Sequence, residues 1–365
     1  MDAGGFSAAL AAHLLRFNGG LFRPGPHGGA DPLPVEANEP DLLILAAGKD
    51  WADMEPAISG TLLENTLDRK ERGRLGAEFT PRPFVERLVL PTVMEPLRAE
   101  WDGVRAAAEA AMQASDARAA AALVRGFHAA LCAVRVLDPA CGTGNFLYVT
   151  LELMKRLEGE VLETLAGYAR NDAGLLDLAG ATVDPHQFLG LDVNLRAVPV
   201  AELVLWIGYL QRHFRTNGKA PPAEPILRDF RTIQEGDALL SYARTKADKD
   251  SAGRPVTRWG GRMTTHPITG EHVPDLTDQV LVLQPIGDKQ APWPTADFIV
   301  GNPPFVAGKD LRAELGGGYA EALWAAYPQG AAIRRPGNVL PDHASSSAVF
   351  GQVRCLDTLD LSEGS

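Results

Sequence analysis

Four short segments rich in Gly, Asp or Asn each close a strand-like run: DPACGTGN at 138–145, LDVN at 191–194, GDALL at 236–240 and GNPPF at 301–305. The runs they close, 134–137, 188–191, 232–234 and 297–300, have the length of buried strands. Helix-period stretches separate the first three. Over 146–169, Leu147, Leu151, Met154, Leu157 and Val161 recur at three- and four-residue spacing, and a second stretch runs through 203–214. In the latter, Asn194 is placed to cap the helix and Pro199 to bend its early turns. Strand, loop, helix, strand, helix, strand is the order of a parallel sheet covered by helices, an α/β fold. Open sheets of this kind bind ligands outside the carboxyl ends of their strands. All four distinctive segments stand there.

The flanking sequence divides the chain further. Residues 1–100 read as a mostly helical N-terminal region: a stretch at 7–17 stopped by Asn18-Gly19-Gly20, then 42–47, 51–67 and 84–101. Pro81 and Pro83 open the last of these, with Phe84, Leu88 and Val89 expected on its inner face. An Ala-rich helical run follows at 106–131. The core is assigned to 101–328, with a polar insertion at about 241–296 carrying a hairpin near 280–283. Residues 329–365 are polar, interrupted by Pro and Ser, and read as a tail outside the folded core.

The formal net charge of −11 argues against a chain that grips nucleic acid over its whole surface, and leaves room for a local basic cleft. The 3 cysteines make no disulfide framework and fit a reducing compartment. No paired Cys or His spacing suggests zinc, so no metal is expected. The N-terminus lacks a basic leader and a long apolar run, so a cytoplasmic location is expected.

In the first segment, Gly142 and Gly144 let the backbone turn tightly and approach a ligand with no Cβ in the way. The helix behind them offers free amides. Asp138, at the strand tip, can accept from an ammonium group. A dinucleotide fingerprint needs a third glycine where Leu147 stands, and no phosphate-loop Gly-Lys-Ser/Thr is present. Asp192, ending the second strand, is placed to accept from two ribose hydroxyls, and Asp237, after the third, from an adenine amine. Each also has a plainer reading, a helix cap for Asp192 and a common Gly-Asp turn for Asp237. Cys141 has no His or Asn arranged near it, and reads as a small packed side chain rather than a nucleophile.

The fourth segment is the sharpest. Pro303 and Pro304 stiffen the backbone and leave carbonyls free. Asn302 supplies a side-chain carbonyl and Pro303 a backbone one, together able to accept both hydrogens of a planar exocyclic amine. Phe305 offers a face for a heterocycle to stack on.

DPACGTGNF and GNPPF in this order resemble the class I adenine-N6 DNA methyltransferases. GTLLENTLD, LGAEFTPRPFVERLV and NPPFVAGKDLR extend the likeness over about residues 10–328, to the methyltransferase part of fused bacterial restriction–modification enzymes (type IIG and IIL) and phage-defence enzymes. The resemblance implies a Rossmann-like sheet and S-adenosylmethionine as methyl donor. It implies double-stranded DNA with a flipped-out adenine as substrate, and direct in-line transfer without metal. Thr80, in GAEFTP, corresponds to a contact with the cofactor's methionine carboxylate. Asp138, Ala140, Gly142 and Gly144 correspond to the loop under its methionine moiety, Asp192 to the ribose acid, and Asp237 to the residue reading its adenine. Asn302, Pro303, Pro304 and Phe305 correspond to the target-base clamp.

The likeness stops near Pro328, and only four of the family's seven strands can be placed. An incomplete sheet without a target recognition region is therefore expected, either from a truncated or frame-shifted gene or because a second chain supplies the rest. A formal nuclease match, Pro40-Asp41 with Asp68-Arg69-Lys70, reads instead as helix and solvated helix end. Two other readings compete: an N-methyltransferase acting on ribosomal RNA or protein glutamine, and a non-catalytic remnant or subunit.

Overall fold

The computed structural model describes residues 5–7, 12–14, 39–49, 54–56, 58, 80–168, 181–194, 197–217, 231–242, 244–247, 249–250, 252–259, 263–266, 272–277, 279–286, 289–303 and 317–327. Pro304, Phe305, GTLLENTLD and the tail lie outside these residues. The chain divides into two compact units, Met1–Gly236 with Pro294–Pro303, and Asp237–Trp293 with Pro304–Ser365.

The first unit opens on an antiparallel hairpin, β1 (Gly5–Ser7) and β2 (Ala12–Leu14), where a helix was expected from 7 onward. So short a segment gains little as an isolated helix, and here the Phe6 and His13 rings meet edge to face across the strands. Helix α1 (Glu39–Ala47) follows. Helix α2 (Arg82–Val89) runs through a π-turn, Leu90–Met94, into α3 (Glu95–Gln113). Val85, Val89, Val93, Leu97 and Trp101 are buried at a steady four-residue interval across that turn. Of the three residues expected on the inner face, Val89 is buried, while Phe84 is 60% and Leu88 36% exposed and Val85 takes their place.

The Ala-rich run is also cut differently. Helix α3 passes through Trp101 and Gly103 and stops at Ser115, whose φ is 61°. Asp116 then caps α4 (Ala117–Ala133), its side chain accepting the Ala119 N–H at 2.8 Å. Trp101 and Phe127 pack their rings 5.2 Å apart in the core between these helices.

Strand β3 (Val136–Asp138), helix α5 (Asn145–Tyr168), strand β4 (Phe188–Asp192), helix α6 (Ala197–Asn217) and strand β5 (Ile233–Glu235) come next. Pro199 sits in the first turn of α6, where helical N–H groups have no partner to lose. At that helix start the Asn194 backbone carbonyl accepts from Ala197 N–H. The last sheet strand, β14 (Phe298–Ile299), is reached only after the excursion through the second unit.

All four sheet strands are parallel, in the order β14-β3-β4-β5. The chain steps from β3 through β4 to β5 in one direction, and right-handed crossovers then put α5 and α6 on the same face. It returns to pair β14 on the other side of β3. The gap between β3 and β14 is thus the topological switch point, where such sheets bind ligands.

The second unit is a nested series of antiparallel pairs: β6 (Leu240–Ser241) with β13 (Lys289–Gln290), β7 (Arg244–Ala247) with β12 (Leu283–Ile286), β8 (Thr257–Trp259) with β11 (Gln279–Leu281), and β9 (Met263–Thr265) with β10 (His272–Pro274). Each pair encloses the next, so the insertion is one long two-stranded ribbon rather than a single local hairpin. Helix α7 (Gly317–Ala326) packs at its base through Leu240, Ala320, Ala322 and Leu323. Among the described residues, no helix is long and apolar enough to cross a membrane.

Candidate functional site at the switch point

Two residues of the glycine loop adopt backbone angles that side chains resist: Gly142 has φ 52° and Gly144 φ 80°. A Cβ on Gly144 would stand 3.1 Å from that of Ala201, so α6 closes tightly over the loop. Beside Gly142, by contrast, a Cβ would meet nothing within 4 Å. The loop is therefore held from behind and open at Gly142.

Asp192 does the holding. Its carboxylate accepts the Gly142 N–H at 2.8 Å and, through the other oxygen, the Asn194 N–H at 2.7 Å. Its backbone carbonyl accepts from Gly236, while Cys141 N–H donates to Leu191. Burial pushes the Asp192 carboxyl upward, and the two amide hydrogen bonds work against that shift. Each carboxylate oxygen keeps acceptor capacity for a further donor.

Asp138 is almost wholly buried at the tip of β3, and accepts the Ala140 N–H at 3.1 Å. Desolvation, with a smaller push from Asp192, raises its carboxyl to about 7, against the opposing Ala140 hydrogen bond. Gly301, just past β14, makes that position possible. A Cβ there would lie 2.3 Å from Asp138 Oδ1.

Asn302 is exposed, and its amide Nδ2 donates to Thr80 Oγ1 at 3.1 Å. The Thr80 backbone carbonyl accepts from Asn145 Nδ2 at 2.6 Å. Asn145, the first residue of α5, buries its Oδ1 with no hydrogen-bond partner in the structure. Buried acceptors are nearly always paired, so this one marks a place for a donor from outside the chain.

Of the residues singled out in the sequence, the structure brings together Asp138, Ala140, Gly142, Gly144 and Asp192 on one side of the switch point. Thr80 and Asn302 join on the other, with Pro303 following. Asp237 begins the second unit, where its Oδ1 accepts the N–H groups of Leu239 and Leu240 and its Oδ2 accepts the Tyr319 hydroxyl at 2.8 Å. Sequence reasoning missed Asn145 and Gly301. Both lie inside the quoted motifs, but their contacts reach residues 65 and 163 positions away.

Cys141 is buried beneath the loop against Gly190, and burial pushes its thiol well up, away from the reactive thiolate. A second buried cluster lies in the helical layer. His128, Cys132 and Glu158 place their ligand-capable atoms within 4.8 Å of one another, an arrangement the linear spacing did not announce. The Lys155 ammonium already sits 2.5 Å from Glu158, which also accepts the Val183 N–H, so Glu158 is committed to a structural network.

Residues 111–318, more than half of the chain, match the family model described as MmeI, DNA-methyltransferase domain. The chain belongs to that family. DNA methyltransferase A of Bacillus subtilis (strain 168) is 25% identical over 172 residues, covering 45% of this chain and 17% of that protein. A solved structure of the type IIL restriction–modification enzyme MmeI in complex with DNA aligns over 57% of this chain and 26% of its own, at 26% identity and a TM-score of 0.47. The chain therefore spans about a sixth of the curated relative and about a quarter of the solved one.

Proposed function

We propose that this chain is the methyl-transfer module of a site-specific DNA methyltransferase, moving a methyl group from S-adenosylmethionine to adenine N6. The observation that carries the reading is the pairing across the switch point. Asp138 is buried against Gly301, so the cofactor-type loop and the Asn302-Pro303 carbonyls stand on adjacent strand ends. Family membership supports DNA as the substrate, and the DNA complex of the MmeI enzyme is consistent with it.

The residues present fit the cofactor. Its ammonium group matches the unpartnered Asn145 Oδ1 and the Asp138 carboxylate, both buried acceptors. Its ribose hydroxyls match the remaining lone pairs of Asp192, and the open side of Gly142 leaves room for its methionine chain. Ala140 keeps that side of the loop small. Thr80 is assigned to the cofactor carboxylate. When bound, S-adenosylmethionine supplies a sulfonium-activated methyl group.

The chain's own task is orientation. Asn302 Oδ1 and the Pro303 carbonyl accept the two hydrogens of the target amine, drawing its lone pair out of conjugation and toward the donor. Pro304 and Phe305, outside the described residues, are assigned to the same clamp by the motif alone, Phe305 as the stacking face for the flipped base.

Calorimetry with S-adenosylmethionine tests the pocket: binding is expected for the wild type and loss for Asp192→Ala. Radiolabelled transfer to unmethylated DNA, followed by nucleoside analysis, is expected to yield N6-methyladenine. Label appearing only in total RNA or in release-factor protein would replace the DNA reading, and no binding at millimolar cofactor would end it.

A further inference from the structure

A primary amide offers an acceptor on one side and a donor on the other, and only the acceptor suits an amine's hydrogens. At an exposed position such as Asn302, the amide turns freely unless a neighbour holds it. Thr80 is that neighbour, its hydroxyl taking the Asn302 Nδ2 hydrogen at 3.1 Å, with Oδ1 left free to accept.

Thr80 is itself fixed from two directions. Pro81, with φ −55°, follows it and starts α2, the Pro81 carbonyl accepting from Phe84 and Val85. Behind it, the Thr80 carbonyl is held by Asn145, the residue that ends the glycine loop. Asn145 in turn has its one unused acceptor buried and open to an incoming donor. A continuous path of two hydrogen bonds thus runs from the loop, through Thr80, to Asn302.

We infer that Thr80 is a positioning residue that couples the cofactor loop to the target clamp, holding the Asn302 amide still with its carbonyl free for the target amine. This rests on the proposed function and deepens it. A donor captured by Asn145 Oδ1 stiffens Asn145, which stiffens Thr80 and fixes the Asn302 amide. The target end becomes competent only when the loop is filled.

The test uses the full chain with Thr80→Val, nearly isosteric but lacking the hydroxyl, and Thr80→Ser, which keeps it. Side-chain amide NMR on 15N-asparagine-labelled protein follows Asn302, assigned by its loss in Asn302→Ala. In Thr80→Val the Asn302 amide hydrogens should exchange with solvent about 3- to 10-fold faster, the factor that corresponds to one ordinary hydrogen bond. Thr80→Ser should match the wild type, and the Asn145 amide, which bonds the backbone carbonyl, should stay put in both.

Titration with S-adenosylmethionine should sharpen the Asn302 signal in the wild type and leave it unchanged in Thr80→Val. In methyl transfer at saturating cofactor, Thr80→Val should lower kcat about 3- to 10-fold and Thr80→Ser should restore it. An Asn302 signal indifferent to Thr80→Val, or an unchanged kcat at saturating cofactor, overturns the inference. A wild type that binds no S-adenosylmethionine overturns the proposed function, while the Asn302 amide signal still decides whether Thr80 holds it.

Discussion

At the ends of β3 and β4, the loop is held by buried carboxylates and backbone amides: Asp192 grips Gly142 and Asn194, and Asp138 accepts from Ala140. Past the end of β14, Asn302 stands exposed, with its amide nitrogen on Thr80. One region is preorganised by groups that cannot move without unfolding the sheet. The other can turn on a single side-chain bond. The contrast teaches where each kind of damage should appear: substitutions on the first side should cost stability, those on the second only function.

The sharpest way to break that contrast is at Gly301, where the two regions touch. A methyl group there would overlap the Asp138 carboxylate, at 2.3 Å from Oδ1 and 2.9 Å from Cγ, and a wholly buried side chain has little room to retreat. Gly301→Ala should cost about 3 kcal/mol, the upper end for overpacking, read as a fall in the urea midpoint. Adding Asp138→Ala should recover part of the loss, a non-additivity that marks direct contact. Additive behaviour would mean the two strand ends are independent.

Asp192→Ala comes next. It leaves the Gly142 and Asn194 amides without their acceptor, at a cost of about 1–2 kcal/mol, and should abolish cofactor binding in calorimetry. A variant of unchanged midpoint would show that the loop keeps its shape without the carboxylate.

Asp138 should make the same region pH-sensitive. Its folded value is raised from 3.8 to about 7, so the folded state binds the extra proton between those limits. The stabilisation is complete below the unfolded value, declines as pH rises, and is gone above about 7. The difference in urea midpoint between the wild type and Asp138→Asn, in which other titrating groups cancel, should shrink or reverse from pH 5 to pH 8. A flat difference would place Asp138 in water.

These two regions were also unequally legible in the sequence. The four sheet strands could be read because buried parallel strands are short apolar runs, and the loops that end them must carry Gly, Asp or Asn. On the inner face of α2, Val89 was legible, but Phe84 and Leu88 were not told from Val85, because Phe84–Leu88 and Val85–Val89 share the same spacing and only packing chooses between them. The α3–α4 break was hidden in an Ala-rich run, where Ser115 in a left-handed conformation and the Asp116 cap interrupt no hydrophobic pattern. The ribbon of the second unit showed only its Val280 alternation, since its mostly polar strands carry little periodic signal. In the site, motif residues were readable one by one, but the Thr80–Asn302 bond joins positions 222 apart and depends on the finished sheet.

The smallest effect on stability should come from Asn302→Ala, and it decides the comparison. The residue is exposed, and its one described bond is to a hydroxyl that water can replace, so the urea midpoint should move by no more than about 0.5 kcal/mol. The same change removes the carbonyl assigned to the target amine, so methyl transfer should fall below detection while S-adenosylmethionine still binds. Had the target end been built like the loop end, truncating its central side chain would lower the midpoint as Asp192→Ala does. A drop of 1 kcal/mol or more on the order of that variant's would mean that Asn302 braces the fold, and that its exposure is not a sign of a group kept free to meet a substrate.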